Sequence, residues 1–310
     1  MTVSNGLRPY YSFGLRIDSE IPMPELPLLE EGIMHMHGSV SIVFDQLLPL
    51  WQLANRSSQY VAIYEDTVLI RVPDTAIFGM KAGECILVSP FHGADMDKIR
   101  LYLLGTCMGI TLLQKRILPL HGSAVAINGR AYAIVGHSGA GKTTLSSVLI
   151  QQGNPLLSDD LIAVTTNAEG MPQAMPAYPQ QKLWQETIDM LGRSAEGLKP
   201  LFERERKFAV PLSDGFCSQP LPLAGVIELV KTEHDAAISP VEGLERFHTL
   251  LQHTFRGFLL KRMGLMDWHF RLLSSFTGHI DVYRLHRPLE GASPQQLSTL
   301  LLETIHKEVV

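Results

Sequence analysis

The segment Gly136-His137-Ser138-Gly139-Ala140-Gly141-Lys142-Thr143-Thr144 combines residue types suited to one ligand, a chain of phosphates. A polyphosphate must be met by many hydrogen-bond donors in a small space. Backbone N–H groups supply them only where side chains leave the approach open, hence the glycines at 136, 139 and 141. Lys142 can set its charge against the β- and γ-phosphates, Thr143 can offer its hydroxyl to Mg²⁺, and the helix that follows adds the positive end of its dipole. The expected ligand is Mg-ATP. A glycine turn before an ordinary helix would leave the Gly-Lys-Thr-Thr order unexplained.

Asp159-Asp160 is the second constellation. Adjacent carboxylates repel, so the pair suits a division of labour in which one binds the metal and the other handles a proton. On its own an Asp-Asp pair is more often a solvated turn; here it follows Pro155-Leu-Leu-Ser158, a short strand one helix beyond the glycine loop. Candidates for holding an acceptor are Arg204, Arg206 and Lys207 in Glu203–Phe208, together with Lys182 and Arg256. Arginine suits bidentate recognition of carboxylate or phosphate, whereas the plain alternative is a solvated mixed-charge segment. Arg256 is read as structural. His35 and His37 lack a third ligand cluster and fit a strand face better than a metal site, and Cys107 reads as a packed core residue.

These residues need elements to position them. Ser123–Ile127 and Ala131–Val135 flank Asn128-Gly129, a strong signal for a hairpin with a type I′ turn. The second run enters the glycine loop, and Lys142–Gln152 reads as a helix closed by Gly153. Strand, loop and helix are the context the motif requires. Ile162–Thr166 and Ala224–Val230 are further strand candidates, and Trp184–Leu191, Leu244–Leu260 and Pro294–Lys307 further helix candidates. Upstream, Val40–Phe44, Tyr60–Tyr64, Val68–Val72 and Cys85–Val88 have strand character, and Asp95–Gln114 is apolar all round, as a buried connecting helix would be. The pattern predicts a smaller β-rich α+β domain over 1–115 and an α/β P-loop domain over 116–310.

Composition narrows the function classes. A chain of 310 residues with 45% hydrophobic and 18% charged residues is that of a folded globular protein. Its net charge of −5 argues against a broad nucleic-acid-binding surface. Cys85, Cys107 and Cys217 are widely spaced and form no CxxC, which disfavours a disulfide framework or structural zinc and fits a reducing cytoplasm. Met1–Asp18 lacks the apolar core of a signal peptide, and Leu101–Leu113 stops short of the roughly 20 residues that span a bilayer, so no membrane partner is expected.

Three runs carry a family resemblance: His121-Gly-Ser-Ala-Val-Ala-Ile-Asn-Gly-Arg130, then Gly136-His-Ser-Gly-Ala-Gly-Lys-Thr-Thr-Leu145, then Gly153-Asn-Pro-Leu-Leu-Ser-Asp-Asp-Leu161. Together they resemble the catalytic domain of bacterial HPr serine kinase/phosphorylase over about Leu120–Val164. Tyr11-Ser-Phe-Gly-Leu15, Ser19-Glu-Ile-Pro22, Tyr178-Pro179 and Leu183-Trp184 look like the HPr kinase-like proteins of lasso-peptide biosynthetic clusters. The resemblance implies an ATP- and Mg²⁺-dependent serine kinase with Asp159 as the base for an acceptor hydroxyl, Asp160 as Mg²⁺ ligand, and His121 supporting the pair. It further implies a peptide or small-protein acceptor, such as the C-terminal serine of a lasso precursor, and leaves self-association open. The signature that follows the Asp pair in the HPr enzymes has no counterpart here, which leaves HPr as acceptor and phosphorolysis as a second activity open. A metabolite kinase or a nucleotide-dependent peptide-binding module would use the same scaffold.

Overall fold

The computed structural model describes residues 6–32, 36–54, 60–201 and 204–308, with the backbone alone at 204, 205 and 308. The chain forms two compact units: Met1–Pro119 with Arg256–His269, and Leu120–Phe255 with Phe270–Val310.

The first unit is built on a seven-stranded sheet. Its strands are β1 (Arg8–Ser12), β2 (Leu15–Ser19), β3 (Ser39–Phe44), β4 (Val61–Tyr64), β5 (Thr67–Val72), β6 (Ala76–Lys81) and β7 (Cys85–Pro90), in the order β1-β2-β3-β7-β6-β5-β4. Helix α1 (Leu48–Ala54) places Trp51 in a cluster with Leu69 and Ile77. Val68–Val72 lacks clean alternation because all but Arg71 of β5 is buried, on both faces. The apolar stretch after Asp95 is helical throughout, as α2 (Met96–Tyr102), a π-helical segment Leu103–Cys107, and α3 (Met108–Gln114). Asp95 caps it by accepting from the Asp97 N–H. Cys107 is fully buried, which pushes its thiol pKa up.

The second unit carries the glycine loop. After β8 (Leu118–Leu120), β9 (Gly122–Ile127) and β10 (Arg130–Val135) pair as a hairpin, with Asn128 and Gly129 at φ 50° and 74°, the positive values a type I′ turn requires. Gly122 is obligatory here, since a Cβ would overlap the Ile134 carbonyl across the hairpin. Then come α4 (Lys142–Gln151), β11 (Leu156–Ser158), β12 (Ile162–Thr166), β13 (Pro172–Met175), β14 (Gln180–Trp184), α5 (Gln185–Met190), β15 (Pro200–Leu201), β16 (Arg204–Pro211), β17 (Leu221–Thr232) and β18 (Ala237–Pro240). The chain ends with α6 (Leu244–Gln252), α7 (Met266–Phe276), β19 (Asp281–Pro288) and α8 (Pro294–Glu308).

Its nine-stranded sheet runs β11-β9-β10-β17-β13-β12-β8, with β19 beside β17 and β18 beside β19. Strands β10, β17 and β19 are mutually parallel. Because β9 is antiparallel to both β10 and β11, those two also run the same way. The carboxyl ends of β11, β10, β17 and β19 therefore open on one edge, the place where open α/β sheets bind ligands. One face is sealed by Leu145 and Leu149 of α4 and Leu297, Leu301 and Ile305 of α8, packed on Val125, Ile134, Ile227 and Leu285. A small sheet, β14-β16-β15, packs Leu183 and Val210 with Val148 of α4.

Of the helix boundaries that differ from the sequence expectation, two have a cause in the fold. The helix expected over Leu244–Leu260 stops at Gln252, because His253 and Thr254 take tertiary partners: the His253 ring reaches Glu228 and Thr254 bridges to Leu120. Arg256 then turns into the left-handed region at φ 56°, ahead of a 3₁₀ turn over Gly257–Leu259, so it lies off the helix. The helix expected from Trp184 begins one residue later, since Trp184 remains extended as the last residue of β14.

Candidate active site

Strand β10 delivers the chain to Gly136, whose φ of 147° favours glycine and where a Cβ would stand 2.6 Å from the Leu229 carbonyl of neighbouring β17. Gly141 at φ 105° forms the start of α4. Between them the loop wraps around Lys142, whose Nζ donates to the carbonyls of Gly136 (2.8 Å) and His137 (3.3 Å). Burial lowers the pKa of Lys142, and the charges of Asp160 and Asp159 oppose that shift. Ser138 and Gly139 are exposed and Ala140 is buried. Thr144 turns its hydroxyl to Thr187, 3.0 Å away, so its part in the loop is limited to its backbone N–H.

Asp159 and Asp160 emerge from β11 on the same edge. Asp159 is 5% exposed. Its Oδ1 accepts from Ser123 Oγ at 2.6 Å and from Thr143 Oγ1 at 3.3 Å, and its Oδ2 accepts from the Lys182 backbone N–H at 2.8 Å. All three donors are neutral, and burial raises its pKa despite them. Asp160, at φ 73°, turns its side chain elsewhere. Its carboxylate is 31% exposed and pairs with Lys182 Nζ at 2.7 Å. Burial alone would raise Asp160; the Lys182 ammonium, together with His121 and Lys207, carries it below the usual carboxylate range instead.

Lys182 is held there by the alternation of β14. On one face Gln181 is buried and bonded to Ser146 and Ser147 of α4; on the other Lys182 faces the Asp pair. Burial would lower the pKa of Lys182, but the Asp160 charge raises it. Lys182 was one of several acceptor candidates in the sequence, and the structure spends its charge on Asp160. His121 Nδ1 lies 3.0 Å from the Asp160 carbonyl, so Nδ1–H donates and Nε2 keeps its lone pair in the neutral ring. Burial lowers the His121 pKa, which keeps the ring neutral near pH 7.

The basic residues of β16 separate. Register sets Lys207 opposite Trp184 and Ala209 opposite Lys182, so Lys207 shares the face of Lys182. Its charge is felt at both Asp160 and Lys142, and its ammonium lies 5.7 Å from the Trp184 ring centroid. Arg206 pairs with Glu186 at 3.0 Å, both well exposed. The side chain of Arg204, like His35, lies outside the described residues. Arg256 donates to Thr106 Oγ1 at 2.8 Å within the first unit. Among the described residues no cluster of three or more His, Cys, Asp or Glu side chains is arranged for a metal. A P-loop site does not need one, since Mg²⁺ there takes one or two protein oxygens plus phosphate and water. Thr143 and Asp159, in hydrogen-bond contact, fit that requirement.

Sequence reasoning missed Ser123, whose hydroxyl holds Asp159, and a second buried group at the same edge. Glu228 stands beside Val135 in the β10–β17 register. It accepts from Arg284 Nε at 2.9 Å and lies 3.1 Å from His253 Nε2. His253 in turn accepts the His121 N–H on its backbone carbonyl (2.9 Å) and sets its ring edge-on to His137, 5.9 Å between centroids. Gln252 donates to His137 Nε2 at 3.0 Å. A lone carboxylate inside the apolar run Ala224–Val230 was the available signal.

The chain is similar to HPr kinase/phosphorylase. It is 31% identical over 128 residues to that protein from Mycoplasmopsis pulmonis (strain UAB CTIP), a match covering 40% of each chain. The chain thus spans about 40% of the length of the curated relative it matches. Among solved structures, the HPr(Ser) kinase/phosphatase from Coxiella burnetii overlaps 62% of this chain and 99% of its own, at 15% identity and a TM-score of 0.34. No protein-family model matches. No helix among the described residues is long and apolar enough to cross a membrane.

Proposed function

We propose that the chain is an ATP-dependent kinase that transfers the γ-phosphoryl group to a hydroxyl of a peptide or small protein. The observation that carries this reading is the Thr143–Asp159 hydrogen bond, which couples the glycine loop to a carboxylate and sets Asp160, Lys182 and His121 beside it. The local similarity to HPr kinase/phosphorylase supports the same reaction class.

Thr143 and Asp159 would hold Mg²⁺, which supplies charge neutralisation on the β- and γ-phosphates. Glycine-loop N–H groups and Lys142 hold the phosphates from the other side. The acceptor hydroxyl oxygen bonds to the γ-phosphorus as the bond to the β-bridging oxygen breaks, ADP leaves, and the hydroxyl proton passes to a carboxylate. We assign that carboxylate to Asp160, reversing the roles the family resemblance implies. Both oxygens of Asp159 already accept protein hydrogen bonds beside Thr143, whereas Asp160 is the more exposed and keeps Oδ1 outside the Lys182 bond. A loose transition state asks such a carboxylate mainly to orient the nucleophile, so its lowered pKa is compatible with the role.

For the acceptor, the outer sequence motifs support a serine at a peptide C-terminus, as in a lasso precursor, and Lys207 is placed to meet its carboxylate. Labelled ATP with serine-terminated peptides and with HPr protein tests this directly. Lys142→Ala should abolish transfer with an unchanged circular dichroism spectrum. Asp160→Asn should bind Mg-ATP and fail to transfer, while Asp159→Asn should lose the Mg²⁺ dependence of binding. The opposite pattern in the two variants would return the base to Asp159, and transfer to HPr alone would remove the peptide acceptor.

A further inference from the structure

Inside the glycine loop, His137 and Ser138 lie between Gly136 at φ 147° and Gly139 at φ 76°. Glycine carries little conformational preference, so the stretch between the two could take several orientations. The His137 carbonyl accepts from the Ala140 N–H at 3.1 Å and from Lys142 Nζ at 3.3 Å. The second of these bonds uses the ammonium that the nucleotide reading turns toward the β- and γ-phosphates. A loop of this kind needs a further hold on His137, one that does not compete with a ligand for the same donor.

That hold comes from the end of α6, far along the chain. Gln252 Nε2 lies 3.0 Å from His137 Nε2. An amide nitrogen only donates, so the imidazole nitrogen is the acceptor. A tether is useful only if its base is rigid, and the residues after Gln252 are fixed one by one. The His253 ring is held on Glu228 at 3.1 Å and stands edge-on to the His137 ring, 5.9 Å between centroids. The His253 carbonyl accepts from the His121 N–H at 2.9 Å, Thr254 bridges to Leu120, and the Phe255 ring lies 5.8 Å from that of His121. Had the helix continued, the His253 carbonyl would have turned along its axis toward residue 257 instead of across to His121. His137 and Gln252 are themselves exposed, so their bond adds little to the core and acts on the shape of the loop.

We propose that Gln252 is a positioning residue of the glycine loop, acting through the His137 ring to keep the loop in its phosphate-binding shape. The assignment rests on the nucleotide reading of the loop and names a residue outside the motif on which the loop depends. A loop that is in its binding shape only part of the time binds more weakly by that fraction. Calorimetric titration of the full chain with Mg-ATP and with Mg-tripolyphosphate, which has the phosphates but no nucleoside, reads the loop directly. Gln252→Ala should weaken both ligands by the same factor, about threefold to tenfold, the scale of one neutral hydrogen bond. Gln252→Met, which keeps the length of the side chain and removes only its amide, should lose as much. His137→Ala should match them, and the double variant Gln252→Ala/His137→Ala should lose no more than either single one, because the same interaction is removed each time. In the transfer assay the KM for ATP of Gln252→Met should rise by that factor with kcat unchanged, and its thermal unfolding midpoint should stay that of the wild type. Full affinity in Gln252→Met, additive losses in the double variant, or a fall in kcat at unchanged KM would overturn the role. A loss confined to ATP would overturn it too, by setting Gln252 against the nucleoside instead of the loop. Failure of the wild-type chain to bind either ligand would overturn the nucleotide reading and the role with it.

Discussion

Asp159 and Glu228 are both buried acids on the sheet of the second unit, 5% and 6% exposed, yet their surroundings differ in kind. Asp159 is met by a serine hydroxyl, a threonine hydroxyl and a backbone N–H, and its pKa rises. Glu228 is met by His253 and the Arg284 guanidinium, and its pKa falls to about 2. Neutral donors orient a buried carboxylate without cancelling its charge, whereas a cation does both. The Glu228 cluster is thus a strut fixing the backbone behind His121 and the ring against His137. Asp159 is a carboxylate that burial disfavours in its charged form beside Thr143, the position where we propose that Mg²⁺ would supply the missing positive charge.

The largest effect is expected at the strut. Glu228→Ala leaves Arg284 and His253 without their shared acceptor and should cost about 3 kcal/mol of stability or more, read from urea unfolding. Asp159→Asn removes a charge that burial disfavours, so its unfolding midpoint should match or exceed that of the wild type. A destabilised Asp159→Asn together with a neutral Glu228→Ala would reverse the two assignments.

The same contrast has a pH signature. Glu228 ionises in the folded chain at about 2, against 4.5 for an ordinary glutamate, so its stabilisation is complete above 4.5 and is lost as pH falls toward 2. Asp160, also lowered, loses its contribution below its ordinary 3.8. Asp159 is raised and acts oppositely: its cost at neutral pH disappears as it protonates above 3.8. Thermal unfolding should therefore show a steep loss below pH 4.5, flattened in Glu228→Gln but not in Asp159→Asn.

The smallest effect is expected at the rim. The Arg206–Glu186 pair is exposed on both sides, 65% and 61%, so Arg206→Ala should change stability by less than about 1 kcal/mol and leave peptide binding intact. Lys207→Ala should weaken binding of a free-acid peptide several-fold more than that of its C-terminal amide, measured by fluorescence anisotropy. Equal losses for acid and amide would take the carboxylate away from Lys207.

Much of the second unit was legible from local signals. Asn128-Gly129 determines its hairpin because only a few residue types accept two successive positive φ values. The glycines at 136, 139 and 141 determine a tight loop between strand and helix because their backbone requirements are local, and the strand ending at Ser158 places the Asp pair one helix away. What the sequence left open concerns partners distant along the chain. Which carboxylate faces Thr143 depends on the backbone turn at Asp160, and the neighbours of the pair come from Ser123, 36 residues before Asp159, and Lys182, 22 after Asp160. Helix α6 ends early because His253 is drawn to Glu228, 25 residues away, an attraction that no helical periodicity records. Propensity and spacing act over a few residues, so the chain by itself determined the loop and its strand and helix. Only the sheet order, which brings the ends of β11, β10, β17 and β19 to one edge, decided which charges meet there and which acid is compensated.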